Sequence, residues 1–547
     1  MWKTSSVPVS SDTEILPGKD IVHGTETVPG NETTYGTIPV NVPGAIPGEE
    51  AKLDEEAEHN EAEHNGEAEH NGEAEHNEET LPITEQPPQT SKFHLLIPAN
   101  GPRLQLCRNI VSSTILGYPV PIFNGWEKTG KLDASVSHLA KVRNLMQYLD
   151  NLPPASDDDL VLIVDGYDVI FQLPADVLIQ QYFNIIEVSN ARIAAKYGLD
   201  SIESLSGENS PRQSILFGSD KVCWPGVEGR PACWAVPEDV GIPAGAFGPD
   251  RGIEGNMPRW LNSGTIMGPA ADMREFFAAT LQRIEATYKT QPKFRDSDQL
   301  YMADIWGEQE FWRSVDIHNH KFHDDVDPNT LAPTGKKDLV IPTKVHGQKT
   351  EFHIGMDYES GLFQTNAGYG RFVQHIAFNA ATSNGTASAL ITKNVAESPD
   401  FEPYHIDMPA NVISSLIYRL SAISDTIDAD PKDIIKDMRL GTNLVTKNIY
   451  GLFHCAGNKS PLNHLWYQQW FQPYARPLLE AGAQSLKEKE EISDVLIDGR
   501  KWVVAHSFPI TSREGINVAG AWADFDGRWL TWKELCKPFE DGIFGKE

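Results

Sequence analysis

The chain is poor in cysteine, poor in positive charge and without any long apolar run. Its five cysteines are Cys107, Cys223, Cys233, Cys455 and Cys536. An odd count gives no closed disulfide framework, and no Cys-x-x-Cys pair is present to hold zinc. Cys223 and Cys233 can close one short loop in an oxidising compartment. Lys plus Arg total 46 against 77 Asp plus Glu, a formal charge of -31. Nucleic acid and anionic membrane surfaces both reward clustered cations, so neither is an expected partner. No stretch of about 18 uncharged apolar residues occurs, so no membrane span is expected. The first residues, Met1 to Pro8, lack the apolar run of about 7–15 residues that a signal peptide needs.

What is present is unevenly spread. Residues 1–91 hold 20 acidic residues and 3 lysines, a balance of -17, which leaves -31 + 17 = -14 for the rest. Residues 57–77 repeat Glu-Ala-Glu-His-Asn with an intermittent glycine. Alanine is the only apolar residue in that repeat. It cannot offset roughly 1–2 kcal/mol per residue of backbone entropy, so residues 1–91 read as a disordered acidic segment. His59, His64, His70 and His76 recur in it; a solvated spacer suits them better than a metal-binding tail, because nothing preorganises the imidazoles. Asn31 and Asn384 stand in Asn-x-Thr sequons.

Ordered sequence is expected from near Phe93. Phe93–Pro98, an extended stretch Ile115–Phe123, the aliphatic run Leu160–Val164 and Ser214–Phe217 read as strands. Asp133–Leu149, Pro174–Val188, Ala271–Tyr288, Asp298–Trp306 and Asn411–Ser424 read as helices. Strands alternating with helices indicate an α/β/α sandwich around a mostly parallel sheet. Residues 370–440 read as an insertion, and residues 481–547 as a tryptophan-rich extension packed on the domain.

In open α/β sheets ligands bind beyond the carboxyl ends of the strands. The run 160–164 leads directly into Asp165-Gly166-Tyr167-Asp168. Two carboxylates there suit a hard divalent cation, magnesium or manganese, which can hold a diphosphate. A turn in which the same two residues cap or bind backbone is the competing structural reading. Other acidic pairs, Asp325/Asp327 and Asp524/Asp526, follow no apolar strand.

Six ordered blocks then resemble the glycosyltransferase domain of the procollagen lysyl hydroxylase/glycosyltransferase family. Val164 to Phe171 is similar to VDSYDVIF, and Ser214–Phe217 with Cys223-Trp224-Pro225 to LLFSAE…CWP. Arg259–Gly264 is similar to RFLNSGG, Asp296–Tyr301 to DDDDQLFY, and Leu362–Gln364 to IFQ, with Asp357 where the family also has Asp. Phe453–Asn463 resembles VHGNGPTK…LN, one residue shorter. The blocks span about 165–463.

The resemblance implies a GT-A-like domain over 92–480 that uses Mn2+ or Mg2+ and a UDP-sugar, UDP-galactose or UDP-glucose. It implies Asp165, Asp168 and His454 as metal ligands, Tyr167 stacked on uracil and Lys459 at the diphosphate. Trp224 and Asn262 would shape the sugar pocket, and Asp296 and Asp298 would face the sugars, with Asp298 as candidate base. The acceptor is a hydroxyl of unspecified protein, lipid or glycan, and the compartment implied is the ER or Golgi lumen, the cytoplasm otherwise. Gly166 departs from the family serine. Val345-His346-Gly347 also resembles the histidine block but lacks the Lys and Leu-Asn that follow His454. Two rival readings stand beside this one. His405-Ile406-Asp407 can begin a 2-His-1-carboxylate iron site of an Fe(II)/2-oxoglutarate oxygenase, with His454 or His506 as third ligand. A binding protein that keeps the fold without turnover is the other.

Overall fold

The computed structural model describes residues 88–545 except 135, 208–209, 228, 250–251, 292, 382–386, 510–518 and 525. The acidic repeat, its four histidines and both sequons therefore lie outside the described residues.

The run Leu160–Val164 is buried along its whole length, and its alternate side chains serve two different cores. Leu160, Leu162 and Val164 join one apolar cluster, while Val161 and Ile163 join the other. That is the signature of a strand covered on both faces by helices, and it sets the three-layer architecture.

In chain order the elements are β1 (Thr90–Pro98), α1 (Leu104–Ile115), β2 (Ile122–Asn124), α2 (Ala140–Asp150), β3 (Leu160–Val164), β4 (Val169–Phe171) and α3 (Ala175–Tyr197). Then come β5 (Ile215–Asp220), α4 (Pro231–Trp234), β6 (Trp260–Pro269), α5 (Ala270–Thr287), α6 (Asp298–Phe322), β7 (Ile354–Asp357) and β8 (Phe363–Thr365). Next are β9 (Val373–Ala377), β10 (Ala380–Ala381), β11 (Ala387–Ile391), β12 (Tyr404–Asp407), α7 (Ala410–Ser421), α8 (Ser424–Ile427) and α9 (Pro431–Asp437). The chain ends through β13 (Arg439–Asn443), β14 (Asn448–Ile449), β15 (Leu452–His454), α10 (Leu462–Tyr467), α11 (Ala475–Glu488), β16 (Lys501–Val504), β17 (Gly520–Ala523) and β18 (Trp529–Thr531), followed by short helical turns.

The large sheet has the order β18-β17-β2-β1-β3-β6-β5-β7, with β16 also paired to the start of β1. Neighbours run parallel except around β6 and at β18, so the expected mostly parallel sheet is present. Helices α1, α3 and α11 bury side chains in the first core, and α2, α5 and α6 in the second. A small sheet, β4-β15-β8, stands at the mouth of the large one.

Several elements differ from the sequence expectation. The strand expected over Ile115–Phe123 shrinks to Ile122–Asn124, and the segment before it is helix α1. That helix sets Gln105, Arg108, Asn109, Ser112 and Ser113 at helical spacing, a period present in the sequence, and the fold buries all of them but Gln105. Helix α2 starts at Ala140 rather than Asp133, and α6 runs on to Phe322 rather than ending at Trp306. Cys223 bonds Cys233 (Cα–Cα 5.4 Å), the short loop the sequence offered, whereas Cys107 bonds Cys536 (Cα–Cα 5.5 Å), a pair the odd count did not suggest, and Cys455 is free and buried. Cys107 and Cys536 lie 429 residues apart, so only folding brings them together. Within residues 370–440, β9 pairs with β13 and α7 buries Val412, Leu416 and Leu420 in the first core. Within 481–547, β16 and β17 pair with β1 and β2 of the large sheet. Among the described residues no helix is long and apolar enough to cross a membrane.

Candidate metal centre at the sheet mouth

Strand β3 ends at Val164, and the amide of Asp165 donates to the Gly264 carbonyl on antiparallel β6 at 2.8 Å. The turn Asp165–Asp168 then hands the chain to β4, which pairs antiparallel with β15 so that Val169 faces His454. The Cys455 amide donates to the Asp168 carbonyl at 2.8 Å. Backbone pairing alone therefore sets Asp168 beside His454. Gly166 and Gly264 allow the close fit. A Cβ at Gly166 would stand 2.8 Å from the Pro98 carbonyl oxygen, so a side chain there would press on the backbone. A Cβ at Gly264 would overlap the His454 ring.

The His454 Nε2 lies 3.5 Å from Asp168 Oδ2 and 3.8 Å from Asp165 Oδ2. These separations are long for hydrogen bonds. They match the spacing of ligands around one divalent ion, since bonds of about 2.1 Å put neighbouring donors roughly 3 Å or more apart. Asp165, Asp168 and His454 form the group among the described residues whose ligand atoms converge, all within 4.8 Å of one another. Burial holds the His454 pKa below its usual range, against the pull of Asp165 and Asp220, so at neutral pH the ring offers a lone pair. Its Nδ1 has no hydrogen-bond partner. Two carboxylates, a neutral imidazole and a glycine flush against its ring fit a divalent cation.

Two lysines complete the charge pattern. Lys459, half-exposed, forms an ion pair with Asp168 and donates to the Cys455 carbonyl at 2.9 Å. Lys141, buried in α2, is not among the candidates that the sequence singles out. Its Nζ lies 2.8 Å from Asp165 Oδ1, 3.3 Å from Asp298 Oδ2 and 2.7 Å from the Ser263 carbonyl. Burial works against the Lys141 ammonium, but Asp165 and Asp298 outweigh it and raise its pKa. Burial likewise pushes Asp165 up, yet Lys141 first and His454 next hold it below the carboxylate range. A signal for Lys141 exists: it lies one turn before Leu145 on the apolar face of its helix, where an unpaired lysine is costly. Three carboxylates, Asp165, Asp168 and Asp298, thus face two ammonium groups, and 3 − 2 leaves one uncompensated negative charge.

The remaining candidates separate into those the fold gathers and those it does not. Asp298 caps the approach from α6 and accepts from Ser263 Oγ at 3.2 Å. Asn262 is buried, donates to Asp220 at 2.8 Å and accepts from the Gly264 amide at 2.9 Å. Gln299 donates to the carbonyls of Leu261 and Trp224, linking α6 to the half-exposed Trp224, whose ring meets Phe294 edge-on. Tyr167 is anchored by its hydroxyl to Asn100 and Gly101, and Arg103 covers one face of its ring at 4.8 Å. Asp296 is exposed and accepts from Tyr288 at 3.0 Å, with no contact to the cluster. His346 lines a separate cleft between α5, α6 and residues 343–352. His405 and Asp407 lie exposed on a three-stranded antiparallel sheet, and no third ligand gathers with them among the described residues. His506 bonds Tyr148 at 2.8 Å.

No family model matches the chain. Over 177 residues it is 23% identical to the multifunctional procollagen lysine hydroxylase and glycosyltransferase of Caenorhabditis elegans. The match covers 32% of this chain and only 17% of that much longer protein. It is a weak, partial similarity at the level of a family.

Proposed function

We propose that the chain is a metal-dependent glycosyltransferase that moves a hexose from a UDP-sugar to a hydroxyl acceptor. The observation that carries this reading is the convergence of Asp165, Asp168 and His454 on one point at the mouth of β3. The partial likeness to a glycosyltransferase-containing protein supports it. Asp165, Asp168 and His454 would hold Mn2+ or Mg2+. A cation there supplies Lewis-acid neutralisation of the departing diphosphate. Lys459, on a flexible half-exposed stem, adds positive charge where the leaving group becomes negative.

Tyr167, its hydroxyl pinned to Asn100 and its ring beside Arg103, would meet the uracil ring. Trp224 and Asn262 border the sugar side. Asp298 has its carboxylate engaged by Lys141 at 3.3 Å and by Ser263 Oγ at 3.2 Å. Asp298 faces the sugars in this reading, as the base of an inverting course or as a group that orients a sugar hydroxyl in a retaining one, where the leaving phosphate takes the acceptor proton. The two disulfides favour an oxidising compartment, the ER or Golgi lumen. The acceptor is a protein, lipid or glycan hydroxyl.

The test is a donor screen that measures UDP release from several nucleotide sugars with Mn2+ and with chelator. Selective, metal-dependent hydrolysis of a UDP-hexose is expected. Equal rates with and without metal overturn the reading. Binding of Mn2+ and UDP-sugar with no turnover on any donor or acceptor identifies instead a fold that binds without catalysis.

A further inference from the structure

Helix α7 buries a cation that finds no partner among the described residues. Arg419 is 9% exposed, yet its guanidinium forms no hydrogen bond and no ion pair there, and its Nε is buried without an acceptor. A charge taken out of water is costly unless it is paired. A buried lysine or carboxylate can escape by neutralising itself, but an arginine stays protonated.

The groups around it are distant or already engaged. Asp176 acts on Arg419 only through space, and its Oδ1 takes the Ser415 hydroxyl at 2.8 Å. The adjacent Tyr418 ring lies 5.5 Å from the guanidinium carbon. The guanidinium rests on Gly117, just past the end of α1, where a Cβ would overlap it. The carboxyl end of that helix offers roughly half a negative charge, which eases the burial but leaves the N–H donors without acceptors.

Arg419 also lines a cavity of about 310 Å3 between α7, α11 and the end of α1. Ile115, Leu478 and Ala481 give that cavity apolar walls, Ser485 adds a hydroxyl, and the exposed Ala422 stands at its lip. No carboxylate is among the lining residues, and Arg419 is their one charge.

We propose that this cavity is a binding site for a small organic carboxylate, whose oxygens take the Nη groups of Arg419 while a short apolar tail lies against Ile115, Leu478 and Ala481. A carboxylate matches a guanidinium in charge and in planar, two-point geometry. Inorganic phosphate carries more charge than one guanidinium neutralises and has no apolar part for these walls. The site stands at the opposite end of α1 from Arg103, roughly 18 Å away at the helical rise per residue. It is therefore separate from the metal centre, and the proposal does not depend on what that centre does.

The test is isothermal titration of the full chain at fixed ionic strength with sodium hexanoate, neutral hexanamide and sodium phosphate. The proteins are the wild type, Arg419→Met and Ala422→Trp, the last filling the cavity from its exposed lip while leaving Arg419 in place. Wild type is expected to bind hexanoate about tenfold or more tighter than hexanamide or phosphate, and Arg419→Met to lose about tenfold or more, the scale of hydrogen bonds to a charged group. Ala422→Trp is expected to lose hexanoate as well. No binding of hexanoate to the wild type, equal affinity for hexanoate and hexanamide, or unchanged hexanoate affinity in Arg419→Met overturns the proposal. Phosphate bound more tightly than hexanoate overturns the assignment to a carboxylate. Should Arg419→Met not fold, hexanoate affinity in Ala422→Trp within twofold of wild type overturns it.

Discussion

Strand β3 carries a buried polar cluster at each end, and the two are built on opposite principles. At its start, Asp159, His94, Tyr148 and His506 form a closed chain of hydrogen bonds. His94 lies 3.3 Å from Asp159 and 2.8 Å from the Tyr148 hydroxyl, which lies 2.8 Å from His506. Donation in one direction along it, from His506 to Tyr148, to His94, to Asp159, uses one donor at every link. At its other end, Asp165, Asp168 and His454 face one another across gaps too long for hydrogen bonds, and His454 Nδ1 is unpaired. Buried polar groups that satisfy one another hold a fold together; those that converge without satisfying one another are arranged for something else to bind. Both clusters contain an aspartate and a histidine, so composition does not separate them. Saturation does.

The comparison breaks most sharply under matched substitutions. Asp168→Asn is expected to cut metal-dependent UDP release by more than about a hundredfold, because even outer-shell partners of metal sites cost roughly 10–100-fold. Asp159→Asn should leave that rate within about twofold and instead lower the urea midpoint, by about 1–3 kcal/mol of unfolding free energy. Steady-state rates and chemical denaturation of both variants decide it; a fall in rate for Asp159→Asn would erase the distinction.

Lys141→Met probes whether the metal end has cohesive charge of its own. It strands the carboxylates of Asp165 and Asp298, and a loss of about 3 kcal/mol is expected, toward the low end for a broken buried pair because Asp165 is part-exposed. Added Mn2+ should recover part of it, since binding to the folded state alone is stabilising. Thermal melts with and without the ion read this out.

The saturated end has a pH signature. Burial, with the charges of His94 and Lys92, lowers the His506 pKa from 6.5 to about 4. The unfolded chain then binds the proton first, so stability present above pH 6.5 is lost as pH falls toward 4, by about 3 kcal/mol. His506→Gln, whose amide can still donate to Tyr148, should flatten that part of the stability profile, measured as urea midpoints across pH 4–7.5. The smallest effect is expected from Gly166→Ser at the metal end. The added Cβ presses on the Pro98 carbonyl oxygen 2.8 Å away, for a cost of about 1 kcal/mol. A neutral or stabilising result would show that the turn has room to relax.

Much of the metal end is legible in the chain because it uses local grammar. A five-residue aliphatic run followed at once by Asp165 and Asp168 marks the carboxyl end of a buried strand. The block around His454 stands out through its own neighbours. Lys141 and Asp220 do not, although each is near-fully buried. Each lies inside an otherwise regular element, and a charge is recognisable as paired only when its partner is known. The partners of Lys141 come from β3 and α6, and that of Asp220 from β6. Helix α1 differs: its polar residues recur at helical spacing, and what the chain does not show is what its buried side chains meet. Its buried Arg108 donates to Asn463 and to the Gly542 carbonyl, so a polar residue on the inner face is satisfied by segments hundreds of positions away.

The sequence by itself determined the layered α/β plan and the carboxylate pair, since strand burial and the residue that ends a strand follow from consecutive side chains. It could also nominate His454 over His346 by order along the chain. Only the tertiary structure decided that His454 meets Asp168, that Lys141 neutralises Asp165 and Asp298, and that Cys107 bonds Cys536. The physical reason is range. Periodicity and capping act over a few residues, whereas electrostatic pairing, close packing against Gly264 and disulfide closure depend on distances that exist only once strands far apart in sequence lie side by side.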